Sequence, residues 1–196
     1  FWTPAAAAND PAGCMCDKDL LPKEVCEPKV AAAPSAPAAK AERAKHTHGM
    51  FKTPAVKVFA DGVVEGHTAY LAEPYADAEE YKGDPDFRGE PIWQPAAMNE
   101  AFQKLDKAGF QIHVHSIGDA ATSETLDALA YARKANGKRD WRPGITHLQL
   151  VAPGDFARFA KLGVVAVPDP YWFLKDDYYT YLQVPYLGQQ RADDDD

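Results

Sequence analysis

Two imidazoles spaced two residues apart on an apolar run, His113 and His115 in Gln111-Ile112-His113-Val114-His115-Ser116-Ile117-Gly118-Asp119, are the residues of this chain best placed to do chemistry. Successive side chains on a β-strand alternate faces, so both histidines point one way while Ile112 and Val114 point the other. Imidazoles at the end of a strand suit a divalent metal, and hydrogen-bonded core histidines are the plainer alternative. Two further segments supply partners. Val56-Lys57-Val58-Phe59-Ala60-Asp61-Gly62 is a strand with a lysine among its apolar residues, and Gly144-Ile145-Thr146-His147-Leu148-Gln149 is a strand with a histidine near its end. A lysine inside a strand is costly unless its ammonium reaches water, pairs with a counter-charge or is chemically altered. Carboxylation by carbon dioxide would turn Lys57 into an anionic oxygen ligand able to bridge two metals. His115 and His147 are 147 − 115 = 32 residues apart, close to the roughly 30 residues of one βα unit in an eight-fold barrel. That spacing predicts neighbouring strands whose histidines face one mouth at the carboxyl ends of the sheet.

The elements that must position these groups follow the same rhythm. Pro95 to Gly109 reads as a helix with Met98, Ala101, Phe102 and Leu105 on one face and Gly109 as its stop. Asp119 opens a second helix, where its carboxylate can accept backbone N–H groups and oppose the helix dipole, and Leu126, Leu129 and Ala130 form the buried stripe. Pro153 to Leu162 is a third, expected to turn Phe156 and Phe159 inward. Val164-Val165-Ala166-Val167 is an unbroken apolar run, which predicts a strand covered on both faces. Strands alternating with helices give α/β architecture with parallel strands, a partial TIM-like (β/α) barrel. Between Asp61-Gly62 and Pro95 lies a long stretch rich in Pro, Gly and acids; over the mouth it would offer Glu65, His67 and aromatics to a substrate. Asp61 at the strand end either touches a ligand or caps the loop.

The chain divides on composition into an Ala/Pro-rich arm or linker over residues 1–45, a βα domain over 46–192 and an acidic tail at 193–196. A helical turn is expected near 38–44. The three cysteines, Cys14, Cys16 and Cys26, all fall in the arm. They lack a CxxC spacing and read as incidental thiols, with a soft-metal module or one disulfide plus a free thiol as alternatives. A net charge of −8 with pI near 5.2 argues against nucleic acid or an anionic membrane as the main partner. No apolar run approaches the roughly 18 residues of a membrane span. The start, Phe1-Trp2-Thr3-Pro4, has neither a methionine nor a basic leader and reads as processed or truncated, leaving the compartment open.

The segments Ala55 to Glu65, His67-Thr68-Ala69, Glu73 to Asp77, Val114 to Ala120, Thr146 to Val151 and Asp155 to Val164, in that order, resemble the amidohydrolase superfamily, in the branch that contains N-substituted formamide deformylase. The resemblance spans about residues 50–192. It implies metal-activated hydrolysis of an amide or related C–N bond in a small molecule, with a divalent metal, zinc, held by Lys57, His115 and His147, Lys57 being carboxylated. His113 and Asp119 would then stand behind the ligands, and Asp61 would stand there or touch the substrate. The family's first-strand HxH pair and last-strand aspartate have no counterpart. His46-Thr47-His48 follows a polar stretch rather than an apolar strand, so it does not inherit the first pair's role. The chain thus reads as a fragment or incomplete site, functioning as a homo-oligomer or with a complementing chain; the alternative is an inactive, self-assembling structural protein made from part of a barrel.

Overall fold

The three connections that join four short apolar strands cross over the same sheet face, and that repetition sets the architecture. The structure, a computed structural model, describes residues 36–193. Helix α1 (Ala36–His46) leads to strand β1 (Ala55–Phe59); the long loop that follows contains a 3-10 turn (Val64–Gly66) and helix α2 (Ala78–Lys82). Then come α3 (Pro95–Lys107), β2 (Gln111–Ser116), α4 (Asp119–Asn136), β3 (Gly144–His147), α5 (Phe156–Leu162) and β4 (Val165–Pro168). The aromatic segment beyond folds into 3-10 and π-helical turns and two short helices, α6 (Val184–Leu187) and α7 (Gln189–Asp193).

All three strand pairings are parallel and the spatial order is β1-β2-β3-β4, the same as the chain order. Winding in one direction without reversal is how a βα barrel is built, and four strands are half of its eight. The register assigns the faces. Lys57 lies beside His113, then Gly144, then Val165; Phe59 lies beside His115, then Thr146, then Val167. These two rows form the concave face. Val56, Val58, Ile112, Val114 and Ile145 point the other way and are buried under α3 and α4, whose Met98, Phe102, Leu126 and Leu129 complete the main core. A second core joins the long loop to the C-terminal helices through Leu71, Tyr75, Ile117 and Leu187.

Two expectations are corrected here. Residues Val165 to Pro168 are exposed at all four positions, because β4 is the last strand of the sheet and nothing among the described residues covers it; only Val164, just before it, is buried. Phe156 is 63% exposed, since α5 is a short outer helix that turns Phe159 rather than Phe156 toward the core. Asp193, the one residue of the acidic tail that the structure describes, pairs with Lys175 and accepts from the Tyr179 hydroxyl. The cysteines and residues 194–196 lie outside the described residues.

Phe102 is fully buried between the sheet and α4. Phe102→Ala is expected to lower unfolding free energy by about 3–5 kcal/mol, read as a fall in the urea midpoint at unchanged slope.

Candidate functional site

The rim of the sheet is assembled by one buried carboxylate. Asp61, immediately after β1, is wholly enclosed, and its Oδ1 accepts the Ile117 N–H at 2.9 Å while Oδ2 accepts the N–H groups of Gly118 and Tyr70 at 2.7 and 3.0 Å. It therefore ties the end of β1 to the end of β2 and to the loop above them. Burial pushes its pKa up to about 7, against the pull of those three donors. Gly118 completes the joint: a Cβ there would lie 2.0 Å from the Tyr70 carbonyl oxygen, so only glycine lets the two backbones meet. Asp119 accepts the N–H groups of Ala72 and Ala120 at 2.8 and 2.9 Å, pinning the loop to the start of α4.

On this rim His115 and His147 meet, ring centroids 4.5 Å apart and nearly perpendicular. His115 arrives by simple alternation on the concave face. Its Nε2 lies 2.7 Å from the Gly62 carbonyl oxygen and 3.8 Å from Asp61 Oδ1, and Phe59 flanks its ring at 4.8 Å. A carbonyl can only accept, so Nε2 carries the hydrogen and the neutral ring keeps its lone pair on Nδ1. Burial lowers the His115 pKa to about 4, with Lys57 and His147 adding to the effect and the Gly62 bond opposing it.

His147 reaches the rim by a different route. Its partner in register is Ser116, whose hydroxyl bonds Thr122 on α4, so a regular strand would send His147 toward the helices. Instead His147 and Leu148 adopt φ values of +78° and +53°, two successive left-handed residues that turn the imidazole back over the concave face. There its Nδ1 lies 2.6 Å from Asp169 Oδ2, with the Trp172 ring 5.2 Å away. Asp169 is the candidate-site residue that sequence reasoning missed; it follows β4 by one residue, and an Asp-Pro pair signals only a turn. An aspartate placed two residues after an edge strand's last apolar position, 22 residues past a strand-end histidine, was the available clue.

Lys57 is half-buried on the opposite edge, its Nζ 5.7 Å from the Phe59 ring centroid. Burial lowers its pKa and the charge of Asp169 resists the fall. His113 sits in the row below, with Nε2 buried and unpartnered and its pKa lowered by burial, then by Lys57 and His147.

Other flagged residues stand apart from this pair. His67 bonds Asp77 at 2.9 Å and stacks on Tyr81 at 3.7 Å inside the loop, and Glu65 accepts the Tyr178 hydroxyl. His46 faces Glu42 on α1, and His48 lies against Phe51.

No group of three or more His, Cys, Asp and Glu among the described residues is arranged to hold a metal ion. By chemistry, two neutral imidazoles and an amine are donors of the kind a divalent metal takes. Each imidazole has one nitrogen fixed by an acceptor, a backbone carbonyl for His115 and a carboxylate for His147, which is how protein ligands are commonly oriented from behind. Burial favours the uncharged form of the Lys57 amine, the form that can donate a lone pair or take up carbon dioxide.

A parallel sheet wound one way in chain order, with helices over one face, is the architecture of part of a TIM-like (β/α) barrel. Residues 14–194 match the amidohydrolase family, and the chain belongs to it. The match begins well before the motifs around Lys57. The chain is 36% identical over 121 residues to Protein LONG AFTER FAR-RED 3 of Arabidopsis thaliana, covering 62% of this chain and 20% of that protein. It is 30% identical over 122 residues to Putative amidohydrolase YtcJ of Bacillus subtilis (strain 168), covering 62% and 21%. The crystal structure of an uncharacterized metal-dependent hydrolase from Pyrococcus furiosus superposes with TM-score 0.61 at 26% identity, over 79% of this chain and 31% of that one. The chain thus spans about a fifth of the length of these curated relatives.

His115 is expected to stay neutral, with hydrogen on Nε2, down to about pH 4 in nitrogen-detected NMR titration. Because the unfolded imidazole takes its proton near 6.5, its contribution to stability is complete above that pH and is lost as pH falls toward 4. Asp61→Ala would strand three backbone donors and lower stability by about 3 kcal/mol or more in urea titration.

Proposed function

We propose that this chain carries the Lys57, His115 and His147 side of an amidohydrolase site that hydrolyses the C–N bond of a small amide, in the branch of N-substituted formamide deformylase. The observation that carries the reading is the His115–His147 pair, two rings 4.5 Å apart, each held from behind by its own acceptor. The solved relative named as a metal-dependent hydrolase supports it through the shared fold. Zinc is the proposed metal, held through Nδ1 of His115, Nε2 of His147 and a carboxylated Lys57. A bound divalent cation supplies Lewis-acid activation of water and of the carbonyl.

The protein's own groups divide the remaining work. Asp169 orients His147 through Nδ1 and leaves Nε2 as its acceptor nitrogen. Gly62 holds Nε2–H of His115, so that Nδ1 faces outward uncharged. For Lys57, the neutral amine forms an N–C bond to carbon dioxide and releases a proton, leaving an anion. Phe59 and Trp172 flank the two rings and exclude water from their sides. His113, one row deeper, supports this group from below without being assigned as a ligand.

Zinc content by mass spectrometry, together with formate release from N-substituted formamides, tests the assignment. Lys57→Ala and His147→Ala are expected to lose metal together; unchanged stoichiometry in both would end the shared-site reading. Asp169→Asn is expected to weaken zinc binding by about 10- to 100-fold while leaving the fold intact.

A further inference from the structure

We infer that His113 is the positioning residue of a carboxylated Lys57, its Nε2–H donating a hydrogen bond to one oxygen of the carbamate. The inference rests on the Lys57 carboxylation proposed above and gives that group a partner on the adjacent strand. It assigns His113 neither a bond to a metal nor a proton transfer.

The two residues are neighbours by register. Lys57 on β1 pairs directly with His113 on β2, on the same sheet face, at the roughly 4.7–4.9 Å that separates hydrogen-bonded strands. On the other side of His113 the row holds Gly144, and even a Cβ built there would come no closer than 4.0 Å to the imidazole Cδ2. Of the two residues flanking His113 in its row, Lys57 alone therefore carries a side chain. The Nε2 of His113 is buried and has no hydrogen-bond partner among the described residues. A polar nitrogen left in that condition costs free energy, and each such group in a folded protein calls for an explanation. The two side chains also sense each other, since after burial it is the charge of Lys57 that most lowers the His113 pKa.

Carboxylation of the neighbour supplies what this nitrogen lacks. The neutral Lys57 amine forms an N–C bond to carbon dioxide, one C–O π pair moves onto oxygen, and the proton leaves the nitrogen for solvent. The side chain is now longer and ends in two oxygens that can only accept. A neutral imidazole has one N–H to give, and an acceptor beside Nε2 selects the tautomer that carries it there. Hydrogen bonds to an ionised acceptor are among the stronger ones, and a half-buried anion without one is disfavoured. Without a donor the carbamate reverts by the same step run backwards, releasing carbon dioxide. His113 stands at the one register position from which β2 can offer that donor to Lys57, which accounts for an imidazole where an apolar residue would pack at lower cost.

The test reads Lys57 itself, by carbon-13 NMR of the full 196-residue chain titrated with labelled bicarbonate in the presence of zinc. A carbamate resonance that is missing from Lys57→Arg reports occupancy. His113→Phe keeps a ring and has no N–H; it is expected to raise the bicarbonate concentration for half occupancy about tenfold or more, the loss of one hydrogen bond to a charged group. His113→Leu takes its place if circular dichroism shows the phenylalanine variant unfolded. His113→Gln, with an amide donor of similar reach, is expected to recover most of the loss. In nitrogen-15 spectra, bicarbonate is expected to shift the His113 Nε2 resonance of the unsubstituted chain and to leave it in place in Lys57→Arg. Equal half-occupancy with and without the His113 donor overturns the inference and leaves carboxylation standing. So does an equal loss in the phenylalanine and glutamine variants at unchanged circular dichroism, which would mark a packing role. A chain that shows no Lys57-dependent carbamate at all overturns the carboxylation reading, and this inference with it.

Discussion

The position of the rim depends on a single buried carboxylate. Asp61 holds backbone N–H groups from Tyr70, Ile117 and Gly118, three points on two segments that would otherwise be free to drift apart. Their convergence fixes where β1 and β2 stop, and with it the place of Gly62, whose carbonyl sets the tautomer of His115. A carboxylate in that position is costly to bury, and its raised pKa is the mark of that cost. The expense is local and the benefit extends outward: the loop to Arg88 is pinned by the same joint, through Asp119 to Ala72 and through Arg88 to the Ala72 carbonyl.

The concave face then works by keeping nitrogen bases uncharged. His113 and His115 have pKa values lowered by burial first and further by the charges of Lys57 and His147, while burial lowers Lys57. Asp169 is the counterweight, drawn to His147 and felt by Lys57. A group of nitrogen bases whose charged forms burial disfavours, beside one carboxylate and with the Nε2 of His113 unpartnered, is poorly suited to be an apolar core.

What the sequence made legible was whatever obeys a period. The parallel βα alternation, the helices beginning at Pro95 and Asp119, and the shared face of Lys57 and His115 all follow from repeats of two or 3.6 residues. The spacing from His115 placed His147 on the neighbouring strand, as it is, but does not by itself turn the ring to the concave face. In a regular strand it would point at α4, and only two left-handed residues bring it round; nothing in Thr-His-Leu announces such a turn. Asp169 was invisible because its role depends on a neighbour two strands' worth of chain away. Burial of β4 was misjudged because an apolar run reports which residues could be covered, and it is the number of strands beside it that decides whether they are. Asp61 was read as a cap or a ligand contact, whereas its three donors come from segments 9 to 57 residues distant, beyond the reach of any local pattern.

The position of His147 also ties the site to the edge of the sheet. Its left-handed backbone is held on one side by the Leu148 N–H bonded to Ser116 and on the other by the Asp169 N–H bonded to the His147 carbonyl. Both bonds are continuations of strand pairings, β2 to β3 and β3 to β4. A strained residue of this kind persists only where its surroundings over-determine it, and one of its two supports is the outermost strand. Disorder at β4 would therefore act first on His147, by releasing Asp169 from its ring and letting the backbone relax toward the extended conformation that aims the imidazole at the helices. Ordering of β4 and orientation of the His147 ring are on this account one physical event, seen from the edge and from the rim.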